Sequence, residues 1–235
     1  MTKNSNYVII NVKKEGGIYM EQIKLEEKYI LEYIRDVLES CKTKPVEIND
    51  ARYHHNTSYK DISSIIKCGL LSKKMQIELK NQILTEKEKE LLIDEGHVNG
   101  LDCISLAVVG LDDLYPNEFE YDPFLTDSID ILISNNIKAG RNSINYGNEF
   151  LVQHEIENKY FKSIDLRILK YVEECKNKQN LHSIRDLIEK YNYLSKISQS
   201  LLDNNLDIPM RDMSFDNITL NKEKIIELPK LILKK

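Results

Sequence analysis

The sequence predicts an α+β fold, with short strands in the middle of the chain and helices toward both ends. Two apolar segments, 103–109 and 128–134, have the length and composition of strands. Two longer segments, 21–41 and 181–202, repeat apolar residues at helical spacing. The chain has 235 residues, of which 41% are hydrophobic and 30% charged, so it can bury a sizeable core.

The N-terminal part of the chain is predicted to contain a loose segment followed by one helix. We expect residues 1–17 to be loosely ordered, with Gly16 and Gly17 as a break. The helix is expected over 21–41. Pro45 follows its end, and the residue before a proline disfavours the helical conformation.

The segment 51–72 is predicted to form a strand, a polar turn, a short helix and a glycine stop. The helix has one apolar face, formed by Ile62, Ile65 and Ile66. We expect Ser58 to cap its N-terminus and Gly69 to supply the left-handed residue at its C-terminus. The next segment, 75–95, is highly charged, and we expect a helical insertion that is either a solvated surface or a lid.

Glu149 is the residue whose position in the sequence best suits a catalytic role. It begins a short apolar run, Phe150 to Val152, which is typical of a buried strand, and a polar loop with Gly140 and Gly147 precedes it. A carboxylate held where a loop enters a core strand is rigid and can still face a cleft, as catalysis requires. The alternative interpretation is a solvated glutamate at a strand end.

One more strand is predicted over 163–167, before the helix near the C-terminus. Together these elements suggest three parts. They are an N-terminal segment and helix (1–50), a core with a charged helical insertion (51–170), and a C-terminal helical extension (171–235).

Two motifs in this order resemble a known enzyme family. The sequence His55-Asn56-Thr57, followed by a helix and Gly69-Leu70, resembles the first motif of the ADP-ribosyltransferases. The Glu149 segment, Glu-Phe-Leu-Val, resembles a motif of the DarT-type toxins, which transfer ADP-ribose from NAD to bases of single-stranded DNA. The resemblance covers about residues 52–167. It implies a split, mostly antiparallel sheet and NAD as a substrate.

The resemblance also implies roles for individual residues. Glu149 would be catalytic, because a carboxylate near the ribose stabilises the positive charge that grows at C1′. It could also remove the proton of the acceptor. His55 would hydrogen-bond the ribose on the adenosine side of NAD, and Thr57 would support the backbone that grips nicotinamide. The alternative for His55 is a structural histidine whose hydrogen bonds are satisfied within the fold.

Four further side chains are candidates for binding NAD. Tyr59 or Tyr146 could stack on the nicotinamide ring, although we favour the interpretation that both fill the core. Arg141 could bind a pyrophosphate oxygen or an acceptor phosphate, or be an ordinary surface residue. Ser105, on the strand that resembles the family's second strand, could contact the ligand or be a plain strand serine.

The chain departs from the family pattern in one respect. DarT-type enzymes carry an arginine shortly after their second strand, whereas here the segment 108–113 contains none. Arg52 or Arg141 could take its place. Because of this departure, the chain could also be a binding protein that keeps the family's fold but has lost catalytic activity.

Two hypotheses outside this family also fit parts of the sequence. The first is a metal-dependent hydrolase or nuclease, which would use His54, His55, Asp112 and Asp113 on a metal. Adjacent side chains of a strand point to opposite faces, so neither pair would converge on a metal if its segment is extended. The second is a helical interaction protein built around the segments 21–41 and 181–202.

Composition limits the partners and the compartment that we expect. The net charge of −5 lacks the basic footprint of most nucleic-acid-binding proteins, so the macromolecular acceptor stays open among DNA, RNA and protein. The four cysteines form no metal-binding or redox pair, which is typical of a reduced, cytoplasmic protein without a structural metal. We expect no membrane span. A role as a toxin or defence protein, with an antitoxin as partner, would follow from the family alone.

Overall fold

The computed structural model of the chain describes residues 7–11, 23–79, 102–108, 128–141, 149–178, 181–214 and 218–234. Within these ranges the protein combines helices with a mixed, mostly antiparallel sheet, as the predicted α+β class requires. No helix in the described ranges is long and apolar enough to cross a membrane.

The strands, in chain order, are β1 (Tyr7–Asn11), β2 (Ile23–Glu26), β3 (Lys42–Thr43), β4 (Ala51–Ser58), β5 (Leu70–Leu71), β6 (Cys103–Val108), β7 (Ser128–Ser134), β8 (Gly140–Arg141), β9 (Glu149–Gln153), β10 (Glu155–Ile156), β11 (Phe161–Leu166), β12 (Met210–Asp212), β13 (Ile218–Leu220) and β14 (Lys230–Lys234). The helices are α1 (Glu27–Ser40), α2 (Ile62–Cys68), α3 (Lys73–Leu79), α4 (Ile168–Lys178), α5 (Leu181–Asp203) and α6 (Lys222–Ile226), with a 3₁₀ turn at Asn158–Tyr160.

The main sheet has the strand order β3-β13-β12-β11-β7-β4-β6-β9-β8 in the part of the chain that the structure describes. Its pairs are antiparallel except for the parallel pair of β11 with β12. A second sheet has the order β14-β1-β2, and β5 pairs with β10 in a short ribbon. The strand β7 therefore lies near the centre of the main sheet, between β11 and β4.

The hydrophobic core lies on one face of the main sheet. The side chains of Ile129, Ile131 and Ile133 alternate along β7 and are fully buried. Helix α5 packs over this face, and its Ser198 lies 3.1 Å from the sulfur of Met210 on β12. Helices α1, α2, α4 and α6 pack around α5. Burial of these apolar side chains is the main force that holds the sheet and helices together.

Several predicted elements are confirmed. Strand β7 covers the predicted 128–134, β6 begins at the predicted Cys103, and α5 matches the predicted helix to within one residue. The last predicted core strand is present but begins two residues earlier, as β11. Of the charged insertion, only α3 lies within the described ranges, so the lid interpretation stays untested.

The predicted N-terminal helix is confirmed over α1, but the predictions for residues 7–11 and 23–26 are wrong. Residues 7–11 form β1, and residues 23–26 form β2 instead of the first turn of a helix. Strand β1 pairs with β2 on one side and with β14, near the C-terminus, on the other. The pairing with distant residues makes these segments strands and overrides the helical pattern of the local sequence.

The C-terminal part contributes strands as well as helices. Strands β12 and β13 extend the main sheet beyond β11, and β14 completes the second sheet. The sheet thus includes residues on both sides of position 170. The domain boundaries that we expected at residues 50 and 170 stay predictions.

Candidate functional site

A cleft of about 520 Å³ lies where strands β4 and β6 stop pairing. The ladder between them consists of two residue pairs, Tyr53 with Val108 and His54 with Ala107. Beyond this point the cleft is lined by residues of β4, β6, α2 and α3, among them His55, Thr57, Ser105, Ile65, Gly69 and Leu79. Three of the predicted NAD-binding residues, His55, Thr57 and Ser105, therefore share one cavity.

His55 bridges the two strands at the mouth of the cleft. Its Nδ1 atom lies 3.0 Å from the backbone oxygen of Ser105. A carbonyl oxygen can only accept a hydrogen bond, so Nδ1 carries the proton. Burial lowers the pKa of His55, against the smaller opposing effect of this hydrogen bond. The ring is thus neutral near pH 7, and its Nε2 atom is left as an acceptor for a ligand hydroxyl.

Gly69 ends α2 and turns the chain along the wall of the cleft. Its φ of 79° confirms the predicted positive value, although its ψ of 177° is extended and not left-handed helical. The Gly69 N–H donates to the oxygen of Ile65 at 2.8 Å. The predicted Ser58 cap is wrong, because the helix begins after Asp61, to whose carboxylate the Ser58 hydroxyl donates at 2.6 Å.

Replacing Gly69 with alanine is expected to destabilise the fold by about 2 kcal/mol. A Cβ atom there would lie 2.6 Å from the backbone oxygen of Ile156, and the backbone would keep an unfavourable φ. The free energy of unfolding in urea measures the effect. Gly140 is the matched control, since its Cβ would meet no atom closer than the Leu151 oxygen at 4.0 Å. Equal stability of the two alanine variants would contradict the prediction.

Glu149 is the first residue of β9, and its backbone pairs with Ala107 of β6. Ala107 in turn pairs with His54 of β4. Since neighbouring strands lie about 4.8 Å apart, the backbone of Glu149 is about 10 Å from that of His54. His55 is one position further along β4. The side chains of Glu149 and Arg141 and all of Tyr146 lie outside the part of the chain that the structure describes.

Tyr59 does not line the cleft. Its side chain is 3% exposed, and the Nζ atom of Lys190 on α5 lies 6.0 Å from the centre of its ring. The prediction that Tyr59 stacks on nicotinamide is therefore not supported by its position, and the core interpretation fits it. Arg52 lies near the start of β9, with its Cζ atom 5.5 Å and 5.9 Å from the ring centres of Tyr53 and Phe150.

A polar network on the other face of the sheet was missed by sequence reasoning. The Asp130 carboxylate accepts from Asn56 at 3.0 Å and from Arg167 at 2.7 Å, and the His54 Nδ1 atom is 3.5 Å away. Burial would raise the pKa of Asp130, but His54 and Arg167 outweigh it and lower this pKa to about 2. The signal in the sequence was a single carboxylate inside the apolar run of β7.

The low pKa of Asp130 predicts a loss of stability in acid. A carboxyl group whose pKa is lower in the folded than in the unfolded state stabilises the fold above its ordinary pKa, and this contribution disappears as the pH falls from about 4 to about 2. We expect the contribution to be on the order of 2 kcal/mol. Urea unfolding of the native chain and of Asp130→Asn between pH 2 and 6 tests this. The variant should lose less stability over that range, whereas the exposed control Asp207→Asn should follow the native chain.

A second groove of about 760 Å³ lies beyond β9, on the side of β8. It is lined in part by Lys138, Gln153, His154 and Tyr160. His154 has a φ of 66°, which is uncommon for a residue other than glycine. Its backbone is held on both sides, because its N–H donates to the Asp102 oxygen and its oxygen accepts from the Ser72 N–H.

Among the described residues, no group of three or more histidine, cysteine or carboxylate side chains could hold a metal ion. Asp112 and Asp113, named above for a metal-dependent hydrolase, lie outside the described residues. No protein-family model, curated protein or solved structure matches the chain.

Proposed function

We propose that this chain is an NAD-dependent ADP-ribosyltransferase that binds NAD in the cleft between β4, β6 and α2. One observation carries the proposal. The separate parts of the His-x-Thr motif and its downstream glycine, namely His55, Thr57 and Gly69, line the same cavity. The neutral His55 ring offers an acceptor atom to a ribose hydroxyl, as the proposed role needs.

The size and lining of the cleft suit a dinucleotide. Ligand pockets commonly have volumes of about 300–1,000 Å³ and combine apolar walls with a few polar groups. Here Ile65, Leu71 and Ile104 supply apolar walls, and His55 and Thr57 supply polar groups. Glu149 begins β9, which is the second strand along from β4 in the main sheet.

The proposed reaction breaks the bond between nicotinamide and C1′ of the ribose. Positive charge then grows on the sugar, and the carboxylate of Glu149 stabilises it. We infer that the acceptor is a macromolecule, either nucleic acid or protein. We further infer that the chain is a cytoplasmic toxin or defence protein with an antitoxin as its partner. The biological setting rests on the family resemblance alone.

The test is incubation of the native chain with NAD labelled on the adenosine side, in separate pools of DNA, RNA and protein. We expect release of nicotinamide and label in one pool, which would identify the class of acceptor. In parallel, calorimetry measures the binding of NAD to the native chain. NAD binding without release of nicotinamide would favour the inactive binding protein instead, and absence of both binding and release would reject the proposal.

A further inference from the structure

The cleft between β4, β6 and α2 has an acidic lining in the part of the chain that the structure describes. Asp61, which directly precedes α2, is the only charged residue among the described lining residues, and none of them is lysine or arginine. Lys60 is next to Asp61 in the sequence, but it pairs with Glu189 at 3.3 Å. Lys74 of α3 pairs with Asp102 at 3.1 Å. The described lining therefore offers an anionic ligand group no cation.

The Asp61 carboxylate is oriented by one hydrogen bond and keeps a second oxygen for a ligand. The Ser58 hydroxyl donates to its Oδ2 atom at 2.6 Å. The side chain does not cap α2, and within the described ranges no hydrogen bond reaches its Oδ1 atom. Asp61 is also exposed, so a ligand in the cleft can approach it. An ionised carboxylate only accepts hydrogen bonds, so this oxygen selects a donor.

His55 supplies a second acceptor in the same cavity. Its Nδ1 atom donates to the Ser105 oxygen at 3.0 Å, so the Nε2 atom of the neutral ring accepts. His55 lies on β4 and Asp61 before α2, and both line the cleft of about 520 Å³. Two acceptors match the two O–H donors of a ribose diol. A phosphate group carries negative charge and acceptor oxygens instead, so it suits this pair poorly.

We propose that Asp61 makes the cleft selective for NAD over NADP, because its carboxylate accepts a hydrogen bond from the 2′-hydroxyl of the adenosine ribose. The inference rests on the proposed function, and His55 accepts from the 3′-hydroxyl of the same ribose. In NADP the 2′-oxygen carries a phosphate. That change removes the donor that Asp61 binds and brings almost two negative charges against the carboxylate.

The chemistry of this selection is independent of the fold. In dinucleotide-binding proteins of the doubly wound type, an acidic side chain hydrogen-bonds the 2′-hydroxyl of NAD, whereas an arginine accommodates the 2′-phosphate of NADP. The described lining of the present cleft has the carboxylate of Asp61 and no arginine. Because Asp61 is exposed, water and salt screen part of the repulsion. We therefore expect a preference of about 100-fold, well below that of a fully buried charge.

The experiment is calorimetry with NAD, NADP and the NAD analogue that carries 2′-deoxyadenosine. It compares the native chain with Asp61→Asn and with the control Asp207→Asn, an exposed carboxylate that does not line the cleft. We expect the native chain to bind NAD about 100-fold more tightly than NADP, with the deoxy analogue between them. Asp61→Asn keeps the shape and an oxygen that accepts from Ser58, but not the charge. It should reduce the preference to about tenfold or less, whereas the control keeps the native preference.

The ratio of the dissociation constants for NADP and NAD decides the outcome, because a purely structural role of Asp61 would weaken both by the same factor. A native chain that binds NADP within about threefold of NAD would overturn the inference, and so would an unchanged ratio in Asp61→Asn. If that variant does not fold, the native chain still decides, since equal affinity for NAD and the deoxy analogue would also overturn it. Selective NAD binding without release of nicotinamide would support the role of Asp61 and contradict the transfer reaction. Binding of none of the three dinucleotides would reject the proposed function itself.

Discussion

Replacing Glu149 with glutamine is expected to lower the rate of ADP-ribose transfer about 100-fold or more. Glutamine has nearly the same shape but no negative charge, so it cannot stabilise the positive charge that develops at C1′ in the transition state. The carboxylate stabilises the transition state more strongly than it stabilises the bound substrate. We therefore expect kcat to fall while the affinity for NAD changes little.

The measurement is single-turnover release of nicotinamide, with NAD affinity from calorimetry. Glu155→Gln is the matched control, because Glu155 is an exposed glutamate on the next strand, β10, and lines the second groove. The backbone pairing of Glu149 with Ala107 is compatible with either side chain, so the unfolding transition should not change. Full transfer activity in Glu149→Gln would make this residue an ordinary glutamate at a strand end.

The elements that sequence predicted well are those whose conformation is decided locally. Strand β7 is an apolar run with one aspartate, bounded by serines, and helix α5 repeats apolar residues at helical spacing over six turns. The short helix α2 has the same property, with Ile62 and Ile66 fully buried. In each case the burial pattern can be read from the residues themselves, because one face of the element meets the core.

The elements that sequence missed depend on partners far away in the chain. Residues 23–26 continue the helical pattern of α1, yet they pair with β1, which itself pairs with β14. The other side of β1 pairs with the segment 230–234, about 200 residues away from β2 in the sequence. A local pattern contains no information about such a partner, so propensity alone gave the wrong element.

The same distinction applies to the candidate site. The motif around His55 and Gly69 could be predicted, because its spacing is local and its glycine needs a positive φ. The polar network around Asp130 and Arg167 could not be predicted, because it depends on the register between β4, β7 and β11. Tyr59 fits the core alternative, since its ring is buried and does not line the cleft, although the residue lies beside the motif in the sequence.

Replacing Asp165 with alanine is expected to destabilise the fold by about 3–5 kcal/mol. Asp165 lies opposite Arg211 in the parallel β11–β12 pair, and each is 5% exposed. The guanidinium donates twice, from Nε to Oδ1 at 2.8 Å and from Nη2 to Oδ2 at 2.5 Å. Removal of the carboxylate leaves a buried guanidinium without its bidentate partner, and this desolvated charge causes most of the loss.

Urea unfolding at pH 7 measures the effect, and two comparisons separate burial from charge. Arg35 and Asp36 also form an ion pair, but their side chains are 41% and 70% exposed, so Asp36→Ala should cost less than about 1 kcal/mol. The double variant Asp165→Leu with Arg211→Met removes both buried charges and should recover much of the stability lost in Asp165→Ala, since an apolar pair of similar volume avoids the desolvation penalty. A double variant less stable than Asp165→Ala would contradict this account. In that case the pair would hold β11 and β12 together through its hydrogen bonds, and not merely compensate two charges that the sheet has buried.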